Sequence, residues 1–211
     1  MSQTKTSTRI IYSIILIVML AGTFGMYVMA TQQSPTDVSQ KASLEEFERQ
    51  YEKYNQDMAK WQTTKGAELS KVYFEKFKTY QNSNQAFNSA AVKELTKTDL
   101  VIGTGAELAE GTAYQAYYLG WIPSGDVFDG SFDGTSLKMP IDSQNGMIEG
   151  WKQGVIGMKI GGVREIAIPA AQAYGETGSG KIPANSPIKF VIMAIEPLSD
   201  ADRATQPKLA F

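Results

Sequence analysis

The sequence predicts an α+β protein: an antiparallel sheet curved around one short helix, preceded by a helical segment and an N-terminal transmembrane helix. Three observations predict it. From about Val92 onward, short strand-favouring runs are separated by glycine turns such as Gly103-Thr104-Gly105 and Ser124-Gly125-Asp126. In that region one stretch has helical spacing, Met147 to Met158, with Ile148, Trp151, Val155 and Met158 on one face. Upstream, aromatic residues recur every three or four positions behind an uncharged apolar run.

That run, residues 10–30, is long enough to cross a hydrocarbon core of ~30 Å as a helix. Lys5 and Arg9 precede it and no acidic residue does, so residues 1–9 are expected in the cytoplasm and everything after Thr31 outside. The rival is a cleaved signal peptide, because Val28-Met29-Ala30 resembles a small-residue cleavage site. Residues 31–41 are rich in Gln, Ser and Thr and contain Pro35, the composition of a flexible linker.

A helical segment is expected over residues 42–82. Ser43 and Glu46 have capping-box spacing. Leu44, Phe47, Tyr51, Tyr54, Met58 and Trp61 then fall on one helical seam, with charged residues between them. Thr63 to Gly66 interrupts the pattern, and Leu69, Tyr73, Phe77 and Tyr80 resume it on a shifted register. Three arrangements fit: a hairpin or helix packed within its own chain, a homodimer through residues 44–61, or an arm that grips substrate. Residues 82–89 are polar and mark a boundary.

In the domain expected at 92–198, strands are predicted at 100–102, 114–121, 137–141, 164–168 and 188–195, the last apolar enough to sit centrally in the sheet. Residues 199–211 are expected to be a flexible tail. Composition then removes much chemistry. With no cysteine and no histidine, thiolate or imidazole nucleophiles and zinc sites built on them are excluded. A formal net charge of −2 gives no electrostatic footprint for nucleic acid. Gly175 to Lys181 satisfies the first part of a phosphate-loop pattern, but Ile182 and Pro183 follow where a hydroxyl residue and a helix are needed.

What remains is a set of apolar and aromatic residues around one carboxylate: Tyr118, Phe128-Asp129, Met147-Ile148-Glu149-Gly150-Trp151, Ala173-Tyr174-Gly175, Ile182-Pro183 and Phe190. Together they suit a shallow apolar cleft with a few polar groups at its rim. Taken singly, each apolar residue fits ordinary core packing and Asp129 fits a turn. Their order and spacing, with Tyr118-Leu119-Gly120-Trp121, Gly154, Met158 and Gly161, resemble the FKBP-type peptidyl-prolyl cis-trans isomerases over residues 92–198, about half the chain.

The resemblance implies a pocket and a function. Trp151 matches the pocket floor, Tyr118, Phe128 and Phe190 its aromatic walls, and Met147 and Ile148 the approach to the short helix. Tyr174 and the backbone N–H beside Ile148 match groups that contact ligand carbonyls, Asp129 a pocket carboxylate, and Ile182 an overhanging loop. Asp129, Tyr174, Trp151 and Phe128 are thereby expected to be catalytic, and Tyr118, Leu137, Met147, Ile148, Ile182 and Phe190 to bind substrate. Leu137 stands where an aromatic wall is common, Lys181 replaces an apolar neighbour of Ile182, and Ser179 stands where histidine often occurs. The implied activity needs no metal and no cofactor. Its expected partners are prolyl segments of unfolded or exported proteins, met by a single-pass protein of the cell membrane whose isomerase domain lies outside the cytoplasm. A non-catalytic chaperone using the same cleft is the alternative.

Overall fold

Val38–Phe77 forms one continuous helix, α1, of 40 residues in the computed structural model, which describes residues 38–143 and 146–209. The interruption expected at Thr63 to Gly66 does not occur. The Thr63 and Thr64 hydroxyls donate to the carbonyls of Ala59 and Lys60, at 2.8 and 3.0 Å, so both residues continue the helix. Gly66 is there for packing: a Cβ on it would stand 3.2 Å from the Met139 backbone nitrogen. That close approach offsets the ~1 kcal/mol that glycine costs a helix interior. Helix α1 also begins before Ser43, so the Ser43–Glu46 spacing is not its start, and residues 38–41 of the expected linker are helical. The run at residues 10–30 lies outside the described residues. Among those described, no helix is long and apolar enough to cross a membrane.

The chain divides between Lys53 and Tyr54, and the compact unit Tyr54–Lys208 holds the sheet. Its strands are β1 (Thr96–Val101), β2 (Gln115–Trp121), β3 (Val127–Gly130), β6 (Ile141–Asp142), β7 (Val163–Ile168) and β8 (Ile188–Ile195). All pair antiparallel, in the order β1-β7-β8-β2-β3, with β6 also against β2. A separate two-stranded ribbon joins β4 (Phe132–Asp133) to β5 (Ser136–Leu137). The single strand expected over 137–141 is thus two short pieces. Pro140 lies between them and has no N–H for a ladder.

The central strands β2, β7 and β8 are buried on both faces. Strand alternation sends Ala116 and Tyr118 of β2, Ile166 and Ile168 of β7, and Phe190 and Ile192 of β8 toward helix α2 (Glu149–Val155). It sends Tyr117, Leu119, Trp121, Val163, Val191 and Met193 to the opposite face. There α1 covers them with Tyr73, Phe74 and Phe77. Phe77 is stacked on Phe132 with centroids 5.1 Å apart. The Ser70 hydroxyl accepts from the Leu137 N–H at 2.8 Å. The second aromatic stripe therefore packs on the chain's own sheet.

Two further contacts tie the elements together. Arg164 donates to the Asp99 carboxylate on β1 at 2.7 and 3.1 Å and to the Gly154 and Ile156 carbonyls at 2.9 and 3.0 Å, bracing the C-terminal end of α2. This guanidinium holds the Asp99 carboxyl below its ordinary value. At the chain's end, the expected flexible tail instead contains a short helix, α3 (Asp200–Ala204), capped by Ser199. It meets α1 through a Lys65–Asp202 ion pair of 2.6 Å and a Trp61 indole donating to Thr205 at 3.0 Å.

Tyr117 carries a testable cost. Its hydroxyl is the one buried side-chain polar atom among the described residues with no hydrogen-bond partner, and burial pushes its pKa up. An unpaired buried polar group costs ~1 to 3 kcal/mol. Tyr117→Phe should therefore leave the urea midpoint unchanged or raise it; a clear drop would show that the hydroxyl has a partner in solution.

Candidate functional site

The cavity is assembled where β2, β3 and β8 meet the start of α2. On β2, Tyr118 faces α2, and Gly120, two residues on, lies opposite Phe190 of β8 and Asp129 of β3. Ile148 precedes α2 in extended conformation, and its carbonyl accepts from the Trp151 and Lys152 N–H groups at 3.1 Å each. That places Trp151 in the first turn, 3% exposed, with its indole inward. Helix α2 can lie this close to β7 because Gly150 and Gly154 face it. A Cβ on Gly150 would stand 2.2 Å from Ile168, and one on Gly154 2.9 Å from Ile166.

Four rings form the aromatic side of the cavity. Trp151 stands edge-on to Phe190 at 4.9 Å and to Tyr118 at 5.6 Å, and Phe128 stands edge-on to Phe190 at 5.4 Å. Such T-shaped contacts add ~0.5 to 1.5 kcal/mol per pair beyond area burial. The Trp151 indole donates to the Tyr114 hydroxyl at 2.9 Å, which fixes the orientation of the floor. Ile141, Gly146, Met147 and Ile148 line the other side, and the cavity volume is about 210 Å³.

Asp129 and Tyr174 bring the only formal charge and a hydroxyl to this lining. The Tyr118 hydroxyl donates to the Asp129 carboxylate, whose other oxygen accepts from the Gly130 N–H at 2.8 Å. Burial, and secondarily the negative charge of Asp129, raise the pKa of Tyr174 above its ordinary 10.0. Its hydroxyl is therefore a proton-bearing donor throughout the neutral range. No group here is arranged as a nucleophile with a base; the cavity offers an apolar surface, one carboxylate engaged by the Tyr118 hydroxyl, and the Tyr174 hydroxyl as a side-chain donor.

The structure brings together Tyr118, Phe128, Asp129, Met147, Ile148, Trp151, Tyr174 and Phe190. Two expected residues are elsewhere. Leu137, 3% exposed, packs with Phe77 and Tyr117 on the opposite face of the sheet, because its ribbon folds toward α1; Ile141 supplies the wall instead. Ile182 is buried in the core cluster that also holds Tyr118, Trp151 and Phe190, is not among the residues lining the cavity, and pairs with Ser179 across a tight turn. That turn also disposes of the phosphate-loop pattern. A Cβ on Gly178 would stand 2.4 Å from the Ile182 carbonyl oxygen, so the loop's interior is filled by its own chain. Sequence reasoning missed Ile141 and Tyr114. Tyr114 was visible only as one more aromatic residue entering a strand.

The profile of the FKBP_C family, described as FKBP-type peptidyl-prolyl cis-trans isomerase, matches residues 105–195. A probable FK506-binding protein of Corynebacterium glutamicum is 38% identical over 104 residues, which cover 48% of this chain and 86% of that protein. A peptidyl-prolyl cis-trans isomerase of Saccharomyces cerevisiae is 36% identical over 97 residues, 46% of this chain and 23% of that larger protein. Among solved structures, the crystal structure of AtFKBP13 is 34% identical and covers 49% of this chain and 93% of its own, with a TM-score of 0.43.

Proposed function

The chain belongs to the FKBP-type peptidyl-prolyl cis-trans isomerase family and is a peptidyl-prolyl cis-trans isomerase, and from that premise we propose that it turns prolyl bonds of exported proteins within the cavity floored by Trp151. The observation that carries this reading is the cluster of four rings at T-shaped contact, beside one carboxylate engaged by the Tyr118 hydroxyl and the hydroxyl of Tyr174. Amide resonance sets the rotation barrier of ~18 to 20 kcal/mol and holds partial negative charge on the carbonyl oxygen. Twisting removes that resonance and makes the amide less polar. An apolar cavity then binds the twisted form more tightly than the planar one, which is the requirement for acceleration.

In this mechanism Trp151 supports the pyrrolidine ring while Tyr118, Phe128 and Phe190 exclude water around it. The Tyr174 hydroxyl and the Ile148 N–H hold carbonyls of the flanking peptide so that rotation is confined to the prolyl bond. Asp129, engaged by Tyr118, orients that ring and sets the polarity at one wall. Met147 and Ile141 favour an apolar residue before proline. Magnetisation-exchange measurements on Leu-Pro and Phe-Pro peptides should show exchange above the enzyme-free rate. Tyr174→Phe should raise KM several-fold with unchanged thermal stability. Exchange equal to the control would instead favour a non-catalytic chaperone that grips prolyl segments.

The site of action we propose is outside the cytoplasm, with residues 10–30 as the anchor, supported by their apolar run and by Lys5 and Arg9 before it. Uncatalysed prolyl isomerisation takes ~10 to 100 s, slow enough to limit folding of newly exported chains. Protease added to cells stripped of any outer barrier should remove the isomerase domain; a soluble species beginning near Thr31 would identify a cleaved signal instead. Self-association through the seam of residues 44–61 is supported by Leu44 and Phe47, which are 46% and 45% exposed on α1. Trp61 and Met58 already meet Thr205 and Gln206, so the dimer contact lies toward the N-terminal part of that seam. Sedimentation of residues 32–211 should give twice the chain mass, and Leu44→Glu with Phe47→Glu should return it to one.

A further inference from the structure

Two of the four cavity rings lie against a position that has no side chain. Gly120 sits on β2 between Phe190 of β8 and Asp129 of β3. A Cβ placed on it would stand 2.5 and 2.8 Å from Phe190 Cε1 and Cδ1 and 2.7 Å from Phe128 Cζ. Carbon atoms in contact prefer ~3.5 to 4.0 Å, so even alanine would overlap both rings by about 1 Å. Gly120 is not among the glycines with positive φ, so backbone conformation does not call for glycine here. What calls for it is the space the two rings occupy.

We propose that Gly120 is a positioning residue of the isomerase site: by lacking a side chain it lets Phe128 and Phe190 lean onto the β2 backbone, and so sets the width of the prolyl pocket. Both rings line the cavity. Phe190 also stands edge-on to Trp151 at 4.9 Å and to Tyr118 at 6.0 Å. Phe128 is held by Phe190 at 5.4 Å. An added methyl group would push these rings off β2 and so change the shape of a cavity of about 210 Å³ where the substrate ring has to fit. Widening the pocket by trimming Phe128 should relieve part of the effect of filling position 120, and do so in KM as well as in stability.

The inference rests on the cavity being the isomerase site, and the experiment separates the two. Gly120→Ala, Phe128→Leu and the double variant are made in the full chain. Each is measured for KM and kcat on a Leu-Pro peptide, for thermal midpoint, and for the 19F resonance of fluorotryptophan at Trp151. Gly120→Ala should raise KM about tenfold or more, with a smaller change in kcat, and shift the Trp151 resonance. The double variant should lose less in kcat/KM than the two single losses multiplied together. A KM within twofold of the parent, or losses that simply add, would overturn the proposal. If Phe128→Leu leaves kcat/KM unchanged while the Trp151 resonance still responds to Gly120→Ala, the cavity is not the isomerase site and that reading fails on its own. Should Gly120→Ala not fold, Gly120→Ala with Phe128→Leu and Phe190→Leu should fold; failure of that variant too would place the obstacle elsewhere and overturn the proposal.

Discussion

Trp151→Ala should abolish measurable isomerisation and lower the unfolding free energy by ~3 to 5 kcal/mol, the range for removing a large buried aromatic side chain. The indole is 3% exposed, stands edge-on to Tyr118 and Phe190, and donates to the Tyr114 hydroxyl. Removing it takes away the cavity floor, two ring contacts and the partner of a buried hydroxyl together. Trp151→Phe should be milder on both counts, because a ring remains and only the N–H and part of the area are lost. Urea unfolding and peptide exchange on the same preparations check the result. Retained activity in Trp151→Ala would mean that the prolyl ring is held elsewhere.

Phe77→Ala should have a comparable effect on stability, ~3 to 5 kcal/mol, and none of the direct effect on the cavity. Phe77 is fully buried, stacks on Phe132, and packs beside Tyr117 on the face of the sheet away from Trp151. The larger version of the same experiment removes α1. A chain beginning at residue 92 matches the family profile over its full extent, yet it leaves Tyr117, Leu119, Val191 and Met193 without the Tyr73, Phe74 and Phe77 cover. It should aggregate or unfold at low urea, whereas a chain beginning at residue 54 should fold cooperatively. Equal stability of the two would show that α1 is dispensable to the domain. Activity in the Phe77→Ala variant, measured below its unfolding midpoint, should stay near that of the parent.

Strand positions were legible where burial on both faces demanded a long apolar run: β8 was expected at 188–195 and is Ile188–Ile195. The short pieces were not. Ser136–Leu137 and Ile141–Asp142 are two residues each, too short for any period to register, and Pro140 between them decides the split. Helix α1 was read as interrupted because Gly66 breaks a local pattern, whereas its reason is the Met139 backbone 3.2 Å from where its Cβ would be. The C-terminal helix escaped notice because five residues, mostly charged or small, form a helix only when capped by Ser199 and paired with Lys65 of a distant segment.

Sequence alone determined the chemistry that this protein does not use, through the lack of cysteine and histidine, and the set of aromatic residues that meet in the cavity, through the order of its motifs. Both follow from residue identity and local spacing, which are properties of one dimension. Which side of the sheet each residue serves was decided only in three dimensions. Leu137 went to the α1 face and Ile141 took the wall, Ile182 went into the core cluster, and the second aromatic stripe, through Tyr73 and Phe77, covered the sheet's other face. Those outcomes depend on contacts between segments 50 or more residues apart, such as Ser70 with Leu137 and Trp61 with Thr205, and no local period encodes them.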